Sequence, residues 1–110
     1  MKSENFLKFI EILRKYDPNM QSQTIAIFLY IAIHNRGKFI ETGVPMTIIA
    51  SDLNLAQSSV SRNISILSKW KWSRKEGLDL VETREDPMER RRKLVKLTPK
   101  GEKLFLKFNS

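Results

Sequence analysis

One stretch of the sequence, Thr47–Leu67, constrains the fold more than any other. Its pattern predicts two short amphipathic helices separated by a tight turn near Asn54. In the second helix Val60, Ile64 and Leu67 are spaced at i, i+4 and i+7, so they share one face that we expect to be buried. The stretch therefore predicts a helix-turn-helix.

The opposite face of the second helix is small and polar, and it has no acidic residue. We assign to this face Ser58, Ser59, Ser61, Arg62, Asn63 and Ser65. Such a face can approach the major groove of DNA and offer donors and acceptors without charge repulsion. We expect residues 57–65, beginning at Gln57, to be the exposed part of a recognition helix. Helix pairs like this one also occur in proteins that do not bind nucleic acid, so the stretch alone leaves both interpretations open.

The positive charge of the chain is concentrated after the start of this helix. Residues 1–60 hold six Lys or Arg against five Asp or Glu, whereas residues 61–110 hold fourteen against seven, within a total of +8. A nearly neutral half followed by a basic half is expected when one face of a protein lies on a polyanion. The alternative is a solvated basic surface that aids solubility.

Composition argues against several other classes of protein. There is no cysteine, and His34 is the single histidine, so we expect no disulfide, metal or cofactor. The chain also lacks a glycine-rich phosphate loop and a carboxylate cluster in an apolar setting, so we expect no enzyme. The longest apolar run, Ile25–Ile33, is too short to span a membrane, and no secretory signal precedes it. A single domain over residues 1–110, located in the cytoplasm, is expected.

The rest of the chain predicts a mainly α fold with a small β-hairpin. Helices are predicted over residues 4–16, 19–35 and 99–108, the second of them central because it is apolar on nearly every side. Thr47 is predicted to cap the first helix of the motif, and Thr98, followed by proline, to cap the last. The last helix is too short to be stable alone, so we expect it to pack on the first.

Residues 69–76 alternate aromatic and basic side chains directly after the predicted recognition helix. This alternation is compatible with stacking on nucleic acid. Tryptophan at the end of a helix more often fills a core, so we interpret Trp70 and Trp72 as core residues. Lys69 and Lys71 beside them are predicted to reach DNA phosphates.

Residues 78–97 read as a β-hairpin whose turn contains Asp86-Pro87. Arginine at the tip of a slender hairpin suits insertion into the minor groove of DNA, although a merely solvated loop is the alternative. The acidic residues Glu85, Asp86 and Glu89 offset part of the charge and are expected to pair with arginines. The basic residues of the hairpin are Arg84, Arg90, Arg91, Arg92 and Lys93.

Over residues 20–105 the chain resembles the MarR family of bacterial winged-helix regulators. The most specific segment is Asp86-Pro-Met-Glu-Arg-Arg-Arg-Lys-Leu-Val-Lys-Leu-Thr-Pro-Lys-Gly101, which follows the family's wing and the start of its next helix. The segment Leu53–Leu67 matches the family's recognition helix. The resemblance implies a winged helix-turn-helix fold, a homodimer, and a transcription regulator that binds specific sequences of double-stranded DNA.

The resemblance also implies roles for individual residues. Arg91 would enter the minor groove, and Glu89 replaces the family's wing aspartate. The remaining predicted DNA contacts are Thr47, Arg84 and Lys93. The residues implied to face the major groove are Gln57, Ser58, Ser59, Ser61 and Arg62.

Two features of the chain depart from the family's pattern. The link formed by residues 69–76 is longer than usual, and the sequence stops at Ser110, where proteins of the family usually continue through a long dimerisation helix. We therefore expect dimerisation through residues 1–17 and 98–110, and the resemblance no longer implies a small-molecule effector. The alternative functions are a phage or plasmid replication or partition protein that binds DNA, and a winged-helix module that binds another protein.

Overall fold

The fold consists of a helical core with a small sheet at one side, in a computed structural model that describes residues 2–68 and 77–109. Over these ranges none of the helices is long and apolar enough to cross a membrane. The mainly α fold with a hairpin is confirmed. The elements are α1 Ser3–Tyr16, α2 Ser22–His34, β1 Val44–Pro45, α3 Met46–Leu53, α4 Gln57–Leu67, β2 Val81–Glu85, β3 Lys93–Leu97 and α5 Pro99–Phe108.

Helix α2 lies at the centre of the core, as its apolar sequence predicted. Ile27, Phe28 and Ile31 are fully buried. The ring of Phe28 stacks on Phe9 of α1 with the ring centroids 5.8 Å apart. Burying each such side chain contributes roughly 1.5–3 kcal/mol, so this contact joins α1 firmly to the core. Ile33 near the end of α2 is 59% exposed and does not contribute to the core.

The three strands form an antiparallel sheet in the order β1-β3-β2. Val95 of β3 lies between Val44 of β1 and Thr83 of β2. The hairpin strand β2 begins at Val81 rather than at residue 78 as predicted. The N–H groups of Leu78 and Leu80 donate instead to carbonyl groups at the end of α4, at 3.1 and 2.7 Å.

Two helix starts also differ from their predictions. Helix α3 begins at Met46 with Pro45 as its N-cap residue, so Thr47 lies in the first turn and does not cap the helix. Pro45 is the last residue of strand β1 and also the N-cap residue of α3. Its φ of −64° is compatible with both roles, so the helix begins directly after the strand. Helix α2 begins at residue 22 because residues 17–20 form a turn, in which Asp17 accepts from the N–H of Asn19 at 3.0 Å.

The last helix is capped and packed as predicted. The side chain of Thr98 accepts from the N–H of Gly101 at 3.0 Å, and proline occupies the first helical position. Phe108 packs edge-on against Phe9 of α1, with the ring centroids 6.2 Å apart. A Cβ atom at Gly101 would lie 2.0 Å from the carbonyl oxygen of Leu80, so glycine permits α5 to approach the start of the hairpin.

Candidate nucleic-acid interface

The turn of the helix-turn-helix forms at Asn54, as the sequence predicted. Asn54 has a left-handed backbone conformation with φ 53°, which asparagine tolerates better than most residues. The N–H of Leu55 donates to the carbonyl of Ala50 at 2.9 Å, which closes the end of α3. Ala56 then precedes α4 without a side-chain cap, so the N–H groups in the first turn of α4 have no capping side chain.

Helix α4 has one buried and one exposed face. Val60, Ile64 and Leu67 are buried, which confirms the predicted apolar stripe. Ser59 and Ser65 of the predicted polar face are half-buried. Ser58, Ser61 and Arg62 of that face are exposed, as is Gln57 at the start of the helix.

Asn63 does not belong to the exposed face, and its assignment there was wrong. It is 1% exposed, and its side chain bonds to the buried hydroxyl of Thr24 in α2. Residue 63 follows Val60 by three positions, so the helical period places it beside the apolar stripe. That spacing was the signal for burial, and the interpretation from the sequence gave more weight to the polarity of asparagine.

The tip of the hairpin, residues 86–92, is a turn organised by Asp86. Its carboxylate accepts from the N–H of Met88 at 2.9 Å, and its own N–H donates to the carbonyl of Arg92 at 2.8 Å. This arrangement is the turn chemistry predicted for Asp86-Pro87. It leaves the side chains of Arg90 and Arg91 exposed at the tip, with Lys93 exposed on the following strand.

Two of the predicted arginines are instead engaged with the protein. Arg84 donates through Nη2 to the carbonyl of Thr42 at 3.0 Å. Arg92 lies 3.9 Å from Asp86, and its Nε is buried without a hydrogen-bond partner. Within the described part of the wing, the acid that pairs with an arginine is therefore Asp86, and the prediction that Glu85 and Glu89 would also do so is not met.

The predicted contacts Lys69 and Lys71, like Trp70 and Trp72, lie outside the described residues. The residues on either side of this segment are close together, because the N–H of Asp79 donates to the carbonyl of Ser68 at 3.2 Å. A Cβ atom at Gly77 would lie 1.9 Å from that same carbonyl oxygen. Ser68 and Gly77 therefore lie close together at the C-terminal end of α4.

A hydrogen bond from Tyr30 anchors α3 to α2. Its hydroxyl donates to the carboxylate of Asp52 at 2.5 Å, and its ring lies against His34 with the centroids 4.0 Å apart. Desolvation, followed by the hydrogen bond and the charge of Asp52, raises the pKa of Tyr30 to about 12. The sequence offered no signal for this contact, which joins residues 22 positions apart.

Residues 2–68 and 77–109 contain no group of three or more His, Asp or Glu side chains placed to hold a metal ion. Thr47 is exposed in the first turn of α3, at the opposite end of that helix from the turn that precedes α4. The arrangement offers hydroxyl, amide and guanidinium groups to a partner.

The fold is similar to those of several solved bacterial regulators. A mutant MepR from Staphylococcus aureus matches 96% of this chain at 23% identity and a TM-score of 0.69, and MepR in a complex with DNA matches 96% at 21% identity and 0.68. MarR matches 98% at 19% identity and a TM-score of 0.59. This chain covers 65%, 74% and 75%, respectively, of those chains, and thus less than two thirds of the mutant MepR.

These likenesses confirm the winged-helix fold predicted from the sequence. No protein-family model and no curated protein matches the chain.

Proposed function

We propose that this protein is a transcription regulator of the MarR family that binds a specific sequence of double-stranded DNA. The observation that carries the proposal is the exposed face of α4, where Gln57, Ser58, Ser61 and Arg62 form a polar surface without an acidic residue. Helix α4 occupies the position of a recognition helix in a fold that MepR, in its complex with DNA, also has. Like other regulators of bacterial genes, the protein would act in the cytoplasm.

In this proposal the exposed residues of α4 enter the major groove. Arg62 is the long cationic side chain of the group and suits the acceptor edge of guanine, whereas the serine hydroxyl groups suit several bases or phosphates. Ser59 is half-buried, so we assign it a contact with the DNA backbone at most. Thr47 in the first turn of α3 would donate to a phosphate.

The wing contributes mainly affinity. Arg90 and Arg91 are exposed at its tip and are free of the ion pair that holds Arg92, so they are the residues proposed to enter the minor groove. Lys93 would contact the adjacent phosphates, and Lys69 and Lys71 remain proposed phosphate contacts. Arg84 and Arg92 are proposed to stabilise the wing through their contacts within the protein.

We further propose that two copies associate through α1 and α5. Phe6 and Leu7 of α1 are 46% and 60% exposed, and Leu106 of α5 is 54% exposed. A groove of about 630 Å³ lies between these helices, with Leu7 and Phe108 in its lining. A two-fold dimer would place two recognition helices about 34 Å apart, which is one turn of DNA, and would favour a palindromic site.

Selection of duplex sequences by the purified protein tests the proposal. We expect a short motif with two-fold symmetry, bound more tightly than an unrelated duplex at the same salt concentration. Recovery of tandem repeats would instead favour a replication or partition protein. An absence of binding to any duplex at low salt would contradict the proposal and favour a protein-interaction module.

A further inference from the structure

A buried polar pair connects the recognition helix to the centre of the core. Asn63 of α4 and Thr24 of α2 are 1% and 2% exposed. The Thr24 hydroxyl donates to Oδ1 of Asn63 at 2.5 Å, across a separation of 39 residues in the chain. The pair lies beside the apolar stripe of α4, in a place where an aliphatic side chain would be the ordinary choice.

The amide group of Asn63 is held at both ends. Its Nδ2 donates to the carbonyl of Ser59 at 2.8 Å, one turn earlier in the same helix, and approaches Oε1 of Gln23 at 3.4 Å. The oxygen accepts the hydroxyl of Thr24. Because each end of the amide meets a group of the matching kind, the side chain is fixed in one orientation.

A hydrogen bond restrains the helix in a way that the apolar stripe cannot. Apolar contacts are nondirectional, so Val60, Ile64 and Leu67 hold α4 against the core while permitting small rotations about its axis. The bond between Thr24 and Asn63 depends on distance and angle, and a small rotation would break it. Fixing the register of packed helices is the best-documented role of buried polar groups.

We propose that Asn63 and Thr24 are positioning residues for DNA recognition, which set the rotation of α4 and thereby the register of its exposed face on the bases. The proposal rests on the DNA-binding function proposed above. The rotation of α4 is particularly important in this protein because the side chains of Ser58 and Ser61 are short. A serine hydroxyl bonds over a window of about 2.5–3.0 Å and has no long side chain with which to follow a displaced partner.

The test separates the stability of the fold from its discrimination between DNA sequences. Thr24→Val keeps the shape of residue 24 and removes the hydroxyl, whereas Thr24→Ser keeps the hydroxyl and is the matched control. The double variant Thr24→Val with Asn63→Leu replaces the whole pair by apolar groups, which restores a satisfied core. For each protein we would measure urea unfolding and the affinities for the selected duplex and for an unrelated duplex of equal length.

We expect Thr24→Val to lower the ratio of specific to nonspecific affinity by about tenfold, as for the loss of one base contact, while Thr24→Ser keeps the ratio. Nonspecific affinity should hardly change, because the wing is intact. The double variant should regain stability in urea unfolding but should still show the lowered ratio of specific to nonspecific affinity. It also tests the proposal if Thr24→Val fails to fold.

Recovery of discrimination together with stability in the double variant would overturn the positioning role, as would an unchanged ratio in Thr24→Val. A wild-type protein that binds no duplex would overturn the proposed function itself, and that result would be seen before any variant is compared.

Discussion

The arginine side chains of the wing divide into two groups according to what their guanidinium groups contact. Arg84 donates to a backbone carbonyl and Arg92 lies beside Asp86, so both act within the protein. Arg90 and Arg91 are exposed at the tip. Substitution of Arg84 or Arg92 should therefore disturb the structure of the wing. Substitution of Arg90 or Arg91 should instead weaken contacts with a bound polyanion.

Arg91→Ala should weaken binding to all duplexes and reduce the salt dependence of the association constant. Releasing one fewer counterion lowers the slope of log K against log salt by about 1. The matched control is Lys38→Ala, which removes the same charge from an exposed position between α2 and β1, outside α4, the wing and the proposed dimer contact. Fluorescence anisotropy over a series of salt concentrations measures both. Equal slopes for the two variants would remove the wing tip from the interface.

Tyr30 should make stability fall at alkaline pH. Its pKa is raised from 10.0 to about 12 in the folded protein, so above about pH 10 the unfolded chain loses a proton that the folded protein keeps. The stability due to the protonated tyrosine is complete below pH 10 and is lost as the pH rises toward 12. Lysines titrate in the same range, so the readout is the difference between wild type and Tyr30→Phe in urea unfolding. A difference that stays constant up to about pH 11 would contradict this expectation.

How far single residues could be predicted depended on where their partners lie in the chain. Val60 and Leu67 were predicted correctly because burial follows from helical spacing alone. Asn63 was assigned to the wrong face although its spacing from Val60 indicated burial, because the partner that satisfies its amide, Thr24, lies 39 residues away in the chain. The contacts of Arg84 and Tyr30 are likewise long-range, so the sequence showed their charge or polarity and not their role.

At the scale of whole elements, the existence of each predicted helix was more reliable than its ends. Residues 78–81, which are apolar except for Asp79, resemble the start of a strand. The first of them instead bond to the end of α4, because its last carbonyl groups need donors. The start of α3 was set by Pro45, which ends a strand and begins a helix in one residue. The start of α5 was predictable because a threonine and a proline together specify a cap.

Two threonines give a direct comparison of a capping and a noncapping position. Thr98→Ala removes the acceptor for the N–H of Gly101 and also the donor to the carbonyl of Asp79 at 2.6 Å, so it should cost about 1–2 kcal/mol of unfolding free energy. Thr47→Ala, in the exposed first turn of α3, should change stability by less than about 0.5 kcal/mol. Urea unfolding of both variants measures this. An equal loss in the two would show that capping does not account for Thr98.

At the scale of the molecule, apolar surface remains where α1 and α5 meet after the core is complete. Phe9 and Phe108 are buried in the core, whereas Phe6, Leu7 and Leu106 remain largely exposed on the same two helices. These helices thus have more apolar surface than their contact with each other uses. A second copy of the chain would cover it and would supply the second recognition helix that a palindromic site requires.

Leu7→Lys should convert the proposed dimer into monomers, because it replaces an exposed apolar side chain of the proposed contact by a cation that would lose hydration there. The matched control is Ile33→Lys, since Ile33 is 59% exposed, close to the 60% of Leu7, and lies on α2 outside the proposed contact. Sedimentation equilibrium over a range of concentrations should show dimers for wild type and the control, and monomers for Leu7→Lys. The monomer should still bind an isolated half-site, because α4 and the wing are unchanged, but it should occupy a palindrome without cooperativity. A wild-type protein that sediments as a monomer at every concentration would exclude this interface, and the two half-sites would then have to be bound independently.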